Sequence, residues 1–406
     1  MRIFGLGTYG NIIIGQSGGA TAVINASLVG AVEAALRDTR IKNIYGMWHG
    51  IQGLLHEDII DLRQQPAHIW SELMYTPSAA LGTCRYKLQA EDLARIIAIF
   101  KQYDIHAMLY IGGNDSADTT HRIAEAARSL NYDLQALSIP KTIDNDLPLT
   151  DHCPGYGSAA RFIAMATMDS TMNTLSMPWH YPVKVIETMG RDAGWLTAAA
   201  ALGKRDERDA PHILLLPEQA FNTERYLKQV EETYRRFGYV VIVAAETLRD
   251  EQGQALGAVG QAGTDAFQHP LLSGAAQYLV ELVKERLKLR ARFDKPGDLQ
   301  RMASFATSSV DRDEAYLVGQ AGVRAAMEGA TDKMVVLHRE DRPEYHCTTG
   351  LADLSQVANV QRLLPGEFLD ASKTMVTPAF LHYAQPLIGE PLPNYQRLAH
   401  TRIKKA

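Results

Sequence analysis

Residues Tyr110–Thr120 read YIGGNDSADTT. An apolar run, HAMLYIGG from His106, ends in the pair Gly112-Gly113, and Ile123, Ala127 and Leu130 then recur at helical spacing. This is a strand, a tight turn and a helix. A glycine turn that opens a helix invites an anion, because backbone N–H groups and the positive end of the helix both face it. Yet Asn114, Asp115 and Ser116 follow the glycines, so a carboxylate stands where a phosphate is expected. A helix cap accounts for Asn114 or for Asp115, but not for both together with two glycines.

The same unit recurs outward from this turn. NIIIGQSGG (11–19) is an apolar run ending in glycines, followed by Ile24, Leu28, Val32 and Ala35 at helical spacing. KNIYGMWHG, LQALSIP, VKVIET, HILLLP, YVVIVAAE and KMVVLH are further strands. Helical patterns separate most of them: one marked by Leu93, Ile96, Ile97 and Phe100, then 223–237, 273–287 and 312–327. Alternation of this kind predicts an α/β fold with parallel sheets covered by helices, and ligands at the carboxyl ends of the strands. Five such ends carry unusual chemistry: Ser17-Gly18-Gly19, Gly112 to Ser116, Lys141 to Asp146, Met189-Gly190-Arg191 and Glu246.

The 406 residues suffice for two or three packed domains, and the formal net charge of -5 argues against bulk nucleic-acid binding. Cys84, Cys153 and Cys347 lack CxxC spacing and read as reduced cytosolic thiols; no HExxH occurs, so no zinc is assigned. No apolar run is long enough for a bilayer, and MRIFGLGTYG is not patterned as a secretory signal.

The most informative stretch is PKTIDNDLP. Lys141, Thr142, Asp144, Asn145 and Asp146 crowd the end of an apolar strand. One Asp suits acceptance of a hydroxyl proton, the other supports Mg²⁺, and the ammonium neutralises a transferring phosphoryl group. A polar turn with Asx caps is the plainer reading, but turns seldom need Lys, Thr and two Asp together. QSGGATAVINA is as well explained by a tight turn as by a phosphate site; it is neither a Walker loop nor GxGxxG, which argues against a dinucleotide-binding oxidoreductase. Arg191 after Met189-Gly190, and Arg290, Arg292 and Arg301 around a Pro-Gly turn, suit phosphate, although such residues are often solvated surface charges.

Taken in order from about Ile12 to about Gly329, SGG, GGxxS, TIDND, MGR and a late QR resemble the phosphofructokinase superfamily. The resemblance implies the phosphofructokinase fold: two Rossmann-like α/β/α domains with the active site in the cleft between them. Residues 1–155 plus roughly 300–340 would form the phosphoryl-donor domain; 156–299 plus roughly 341–406 would form the sugar-phosphate domain. It implies transfer of a phosphoryl group from ATP or pyrophosphate to the 1-hydroxyl of fructose 6-phosphate with Mg²⁺, in cytoplasmic glycolysis, by a homodimer or homotetramer with no membrane or nucleic-acid partner.

Carried over, Asp144 matches the general base and Asp146 its supporting carboxylate, with Lys141 beside them. Gly18, Arg85 (in GTCRY), Asp115 and Ser116 match donor positions. Thr142, Met189, Gly190, Arg191, Glu246, Arg292 and Arg301 match sugar-phosphate positions. ATP-using members read GGDGS and have Gly at the place of Lys141; pyrophosphate-using members read GGDDS and PKTIDND. Asp115 would intrude on the α-phosphate of ATP, and Lys141 would reach a shorter donor. The chain therefore resembles the pyrophosphate-using members; an ATP-dependent enzyme or a non-catalytic regulatory sugar-phosphate-binding subunit are the alternatives. Asn114 stands where the family has an Asp on Mg²⁺, which predicts a weaker metal contact. Asp298 stands near a sugar-phosphate position, so it either turns away or the acceptor differs.

Overall fold

The computed structural model describes residues 9–257 and 274–399, with Thr401 and Ile403. Eleven strands among them form two sheets. The larger sheet contains β1 (Gly10–Gln16), β2 (Ile41–Met47), β3 (Ile59–Asp61), β4 (Ile105–Gly112), β5 (Gln135–Pro140), β10 (Lys333–Arg339) and β11 (Cys347–Asp353), in the order β11-β10-β5-β4-β1-β2-β3. The smaller contains β6 (Val183–Thr188), β7 (Ile213–Leu215), β8 (Val240–Ala245) and β9 (Ala291–Asp294), in the order β7-β8-β6-β9, all parallel.

The central strands β1, β6 and β8 are buried along their whole length, and β4 and β5 nearly so. That is why their sequences are continuous apolar runs: a parallel sheet covered on both faces has no wet side. Eight apolar runs recognised in the sequence are strands in the structure. β3, β9 and β11 lacked that signal; they are short or partly exposed and lie at sheet edges. The 223–237 helix has the expected bounds. The 312–327 pattern begins earlier, at Ser309, where Ser308 accepts the Asp311 backbone N–H as a cap. The helical stretch expected over 273–287 runs from Ala275, and its last turn widens; Ser273 lies outside the described residues. Residues 347–353 had been placed with the sugar-phosphate half. They pair instead, antiparallel, with β10 and extend the larger sheet. The short helix Leu354–Val357 then packs on the Asn114–Ser129 helix. From Leu364 onward the chain returns to the second core, where Leu364, Phe380, Leu387 and Ile388 pack with Tyr156 and Trp195.

Helices Ile24–Arg37 and Ser309–Met327 lie side by side on the larger sheet, nearly touching through glycine. A Cβ on Gly30 would sit 2.1 Å from the Tyr316 carbonyl oxygen, and one on Gly319 would sit 2.1 Å from that of Ser27. Both neighbours are backbone and neither can swing aside. Gly319→Ala is therefore expected to destabilise the protein by about 1–3 kcal/mol, the range for overpacking. The control Gly366→Ala, with nothing within 4 Å of its added Cβ, should stay within about 0.5 kcal/mol. Urea denaturation of the two variants makes the comparison.

Candidate active site

The expected strand ends converge. From the larger sheet, β1 delivers Ser17, Gly18 and Gly19; β4 delivers Gly113 to Ser116; β5 delivers Lys141 to Asp146. From the smaller sheet, β6 delivers Met189 and Arg191, and β8 delivers Glu246. They line two adjoining halves of one cleft. Asn114, Asp115 and Ser116 belong to the first half; Met189, Glu246 and Arg301 belong to the second. Arg85, Lys141, Thr142, Asp144 and Arg191 border both. Lys141 and Asp144 thus stand at the junction of the two halves.

The junction is buried and its charges are perturbed. The Lys141 ammonium donates to the Gly19 carbonyl at 2.8 Å. Burial pulls its pKa down to about 8, against the opposing attraction of Asp144. Burial pushes Asp144 up to about 7, Asp146 adds to the rise, and Arg191 and Lys141 oppose it. Burial raises Asp146 as well, while Gln361 and Arg362 help its ionised form. A carboxylate that ionises near neutrality can take a proton from a hydroxyl and later return it. The turn that aims these groups is held from several sides. The Asp144 backbone N–H donates to Thr142 Oγ1 (3.1 Å). Asn145 has a left-handed backbone (φ 55). Its amide donates to the Tyr383 hydroxyl (2.9 Å) and its side-chain oxygen accepts the Cys153 N–H (3.0 Å).

The opening turn is not a capping motif. Gly113 is the N-cap of the Asn114–Ser129 helix, and no side chain caps it. Asp115 is half-buried and faces the first half of the cleft, and Ser116 is buried behind the turn. Asn114, expected as a weak metal contact, lines the first half of the cleft with its side chain already engaged. Its side-chain oxygen accepts the Asn359 N–H (2.6 Å), and its amide donates to the Val360 carbonyl. The side chain is engaged as a tether to a distant segment. Arg301 lies close against the glycine turn of β1: a Cβ on Gly19 would come within 2.6 Å of its guanidinium. Asp298 turns toward Arg301 and pairs with it at 3.0 Å. Gly190 shapes the β6 turn with φ 128. Arg292 is not brought into the cleft. It is exposed on the edge strand β9, its guanidinium 3.3 Å from the Tyr181 ring centroid. Gln361, Arg362 and Tyr383 support the catalytic turn from more than two hundred residues away in sequence. No local spacing announces them.

Residues 11–326 match the model of the phosphofructokinase family. The chain belongs to the phosphofructokinase family. It is 40% identical over 393 residues to the pyrophosphate–fructose 6-phosphate 1-phosphotransferase of Methylococcus capsulatus, covering 95% of this chain and 93% of that protein. Its fold superposes on the crystal structure of a pyrophosphate-dependent phosphofructokinase from Nitrosospira multiformis with a TM-score of 0.87. The two are 39% identical and the match covers 95% of this chain and 94% of that one. It is also 31% identical over 365 residues to a sulfofructose kinase of Alkalicoccus urumqiensis, covering 89% of this chain and 92% of that protein.

This phosphofructokinase also carries a buried polar group behind the catalytic turn. His152, Glu314 and Cys347 bring possible metal-ligand atoms within 4.8 Å of one another. The group is satisfied internally. His152 lies between Asp151 (2.8 Å) and Glu314 (2.6 Å), and Tyr345 bonds Glu314 and Cys347. Burial opposes the imidazolium, but the two carboxylates overcome it and raise His152 to about 9.

The cleft electrostatics set a pH profile. With Asp144 as general base, activity is expected to rise with pH through about 7; with Lys141 needed as a cation, it is expected to fall above about 8. A bell-shaped kcat/KM with limbs near those values is expected, reporting the free enzyme. Asp144→Ser should lower kcat by roughly 10²–10⁴ and abolish the acid limb. A variant that keeps near-normal turnover would remove Asp144 from the role of base.

Proposed function

We infer that this enzyme transfers a phosphoryl group from pyrophosphate to the 1-hydroxyl of fructose 6-phosphate, reversibly, giving fructose 1,6-bisphosphate and phosphate. The observation that carries the reading is Asp115 and Lys141 lining one donor half of the cleft. Asp115 sets a negative charge and a side chain where a longer nucleotide donor would extend, and Lys141 supplies a cation at the transfer point. The names of the near full-length relatives agree with it.

The proposed chemistry uses the residues as placed. Pyrophosphate lies along Gly18, Arg85, Asp115 and Ser116, and the sugar phosphate along Met189, Arg191, Glu246 and Arg301. Asp144 takes the proton of the 1-hydroxyl as its oxygen attacks the near phosphorus. The bridging P–O bond breaks and phosphate leaves toward the glycine turns. Lys141 neutralises charge on the transferring group. The carboxylates of Asp115 and Asp146 fit Mg²⁺, a hard cation that takes oxygen ligands. Asn114 offers it only a neutral carbonyl oxygen, one lone pair of which accepts the Asn359 N–H, so its contact is weaker than a carboxylate's. When bound with the donor, Mg²⁺ supplies neutralisation of the phosphate oxygens. ATP dependence is the alternative donor reading. A purely regulatory role leaves the buried Lys141, Asp144 and Asp146 without a task.

Arg292 enters this reading through a second copy. It sits on β9, an edge strand of the smaller sheet among the described residues, next in sequence to exposed Phe293 and against the Tyr181 ring. We place it in the cleft of a neighbouring subunit, which makes the active enzyme at least a homodimer. With its substrates it belongs to glycolysis in the cytoplasm.

Two measurements test these statements. Steady-state kcat/KM with pyrophosphate and with ATP is compared across wild type, Asp115→Gly, Lys141→Gly and the double variant. Asp115→Gly should begin to admit ATP, Lys141→Gly alone should only damage pyrophosphate use, and the double variant should give clear ATP-dependent turnover, a non-additive result for residues sharing one pocket. A wild type that prefers ATP overturns the donor assignment. Separately, Arg301→Ala should raise KM for fructose 6-phosphate by about 10–100-fold, the scale of one charge-assisted bond, with little change for pyrophosphate. Arg292→Ala should do the same only if subunits associate, so sedimentation and KM are read together. Running the assay also with sedoheptulose 7-phosphate and a 6-sulfonated fructose decides the acceptor.

A further inference from the structure

Between β11 and the second core the chain crosses the back of the cleft; residues 359–362 touch the donor turn and the catalytic turn, and Leu364 reaches the acceptor side through Glu218. Asn359 is tied to Asn114, and its own amide donates to Asp118 (2.8 Å), at the start of the helix that opens the donor half. Gln361 donates to the Asp146 carboxylate in a long bond of 3.4 Å, and the Arg362 backbone N–H donates to the Asp146 carbonyl at 2.7 Å. The Arg362 guanidinium then donates to the carbonyls of Asn145 (2.8 Å), Thr150 (2.6 Å) and Asp151 (2.7 Å). It lies 4.7 Å from the Trp195 ring, whose indole N–H donates to the Arg362 carbonyl (3.2 Å). Finally the Leu364 N–H donates to Glu218, whose same oxygen accepts the Gly194 N–H, just past the Met189–Arg191 turn.

Neither Gln361 nor Arg362 lines either half of the cleft. Arg362 bonds the peptide groups of the turn and of the residues just after it, and Gln361 bonds the Asp146 carboxylate. That turn needs support, because Asn145 holds a left-handed conformation that a side chain adopts only when its surroundings over-determine it. Arg362 fastens the Asn145 carbonyl by two of its nitrogens. A planar fork does this and a point charge does not.

We propose that residues 359–364 form a strap, with Arg362 as its central positioning residue and Gln361 as its aid, that fixes Asp144 and Asp146 at once against the donor turn and the acceptor turn. The proposal rests on the phosphoryl-transfer reading above. It assigns to this segment a part in the reaction rather than in binding: the strap sets the in-line distance between two substrates that other residues hold. Misplacement by about 1 Å from a change away from the chemistry is enough to cost about 10²-fold in rate.

The test compares Arg362→Lys, Arg362→Ala and Gln361→Ala with wild type in kcat, in KM for pyrophosphate and fructose 6-phosphate, and in Tm. Arg362→Lys keeps a cation under Trp195 but loses the fork. It should lower kcat by roughly 10–100-fold with both KM values within about threefold. Its Tm should lie nearer to wild type than that of Arg362→Ala, while its kcat does not recover in step. Gln361 is exposed, so Gln361→Ala folds as wild type and isolates the contact to Asp146; it should lower kcat by about 3–10-fold with unchanged KM values. Wild-type kcat in Arg362→Lys or in Gln361→Ala overturns the strap, as does a fall in kcat matched by equal rises in both KM values. No turnover by the wild-type enzyme with either donor would instead overturn the phosphoryl-transfer reading, so the two failures are told apart.

Discussion

An ammonium and two carboxylates taken out of water at the end of one strand are the constraint around which this molecule is arranged. Lys141, Asp144 and Asp146 are all buried or nearly so. Charges in such a place are tolerated only when paired and hydrogen-bonded. The surrounding structure supplies that: the Gly19 carbonyl on Lys141, Arg191 facing the aspartates, the backbone of the turn fixed by Thr142, Tyr383 and Arg362. The residual imbalance is useful. Burial brings Asp144 up and Lys141 down toward neutrality, so in the proposed reaction proton acceptance and charge neutralisation would overlap in one pH range.

On the reading proposed above, the donor turn is a general anion site that a single side chain makes selective. Glycines and an uncapped helix start accept any phosphate. Asp115 adds a charge and a side chain at one end of that cradle, which disfavours a donor that extends past it. Discrimination is then obtained by disfavouring the longer ligand rather than by gripping the shorter one more tightly. The lysine at the other end keeps the shorter donor where transfer occurs.

What could be read from the chain alone follows from range. The central strands announced themselves because both faces of a parallel sheet are apolar, and their ends announced themselves because glycines and charged residues follow the apolar runs directly. Edge strands were silent: β9 is partly exposed and β11 shows intermediate or exposed positions throughout. Asn114 and Arg292 were assigned from their places in motifs, yet one is held by a segment some 245 positions away and the other faces outward. Arg362 had no motif at all, since its partners are carbonyls, and a carbonyl is available at every residue. Long-range hydrogen bonding to backbone leaves no periodicity behind.

The strand order has a consequence for how the protein is made. β5 is flanked by β4 and by β10, and β10 starts at Lys333. A ribosome that has translated the first three hundred residues has therefore released nearly all of the smaller sheet while the larger one still presents β5 as an unpaired edge. Nor has the helix that covers Ile24–Arg37 yet appeared. Such an edge is a template for pairing with other chains. The order of synthesis thus leaves the catalytic strand exposed longest, and the last quarter of the chain closes it.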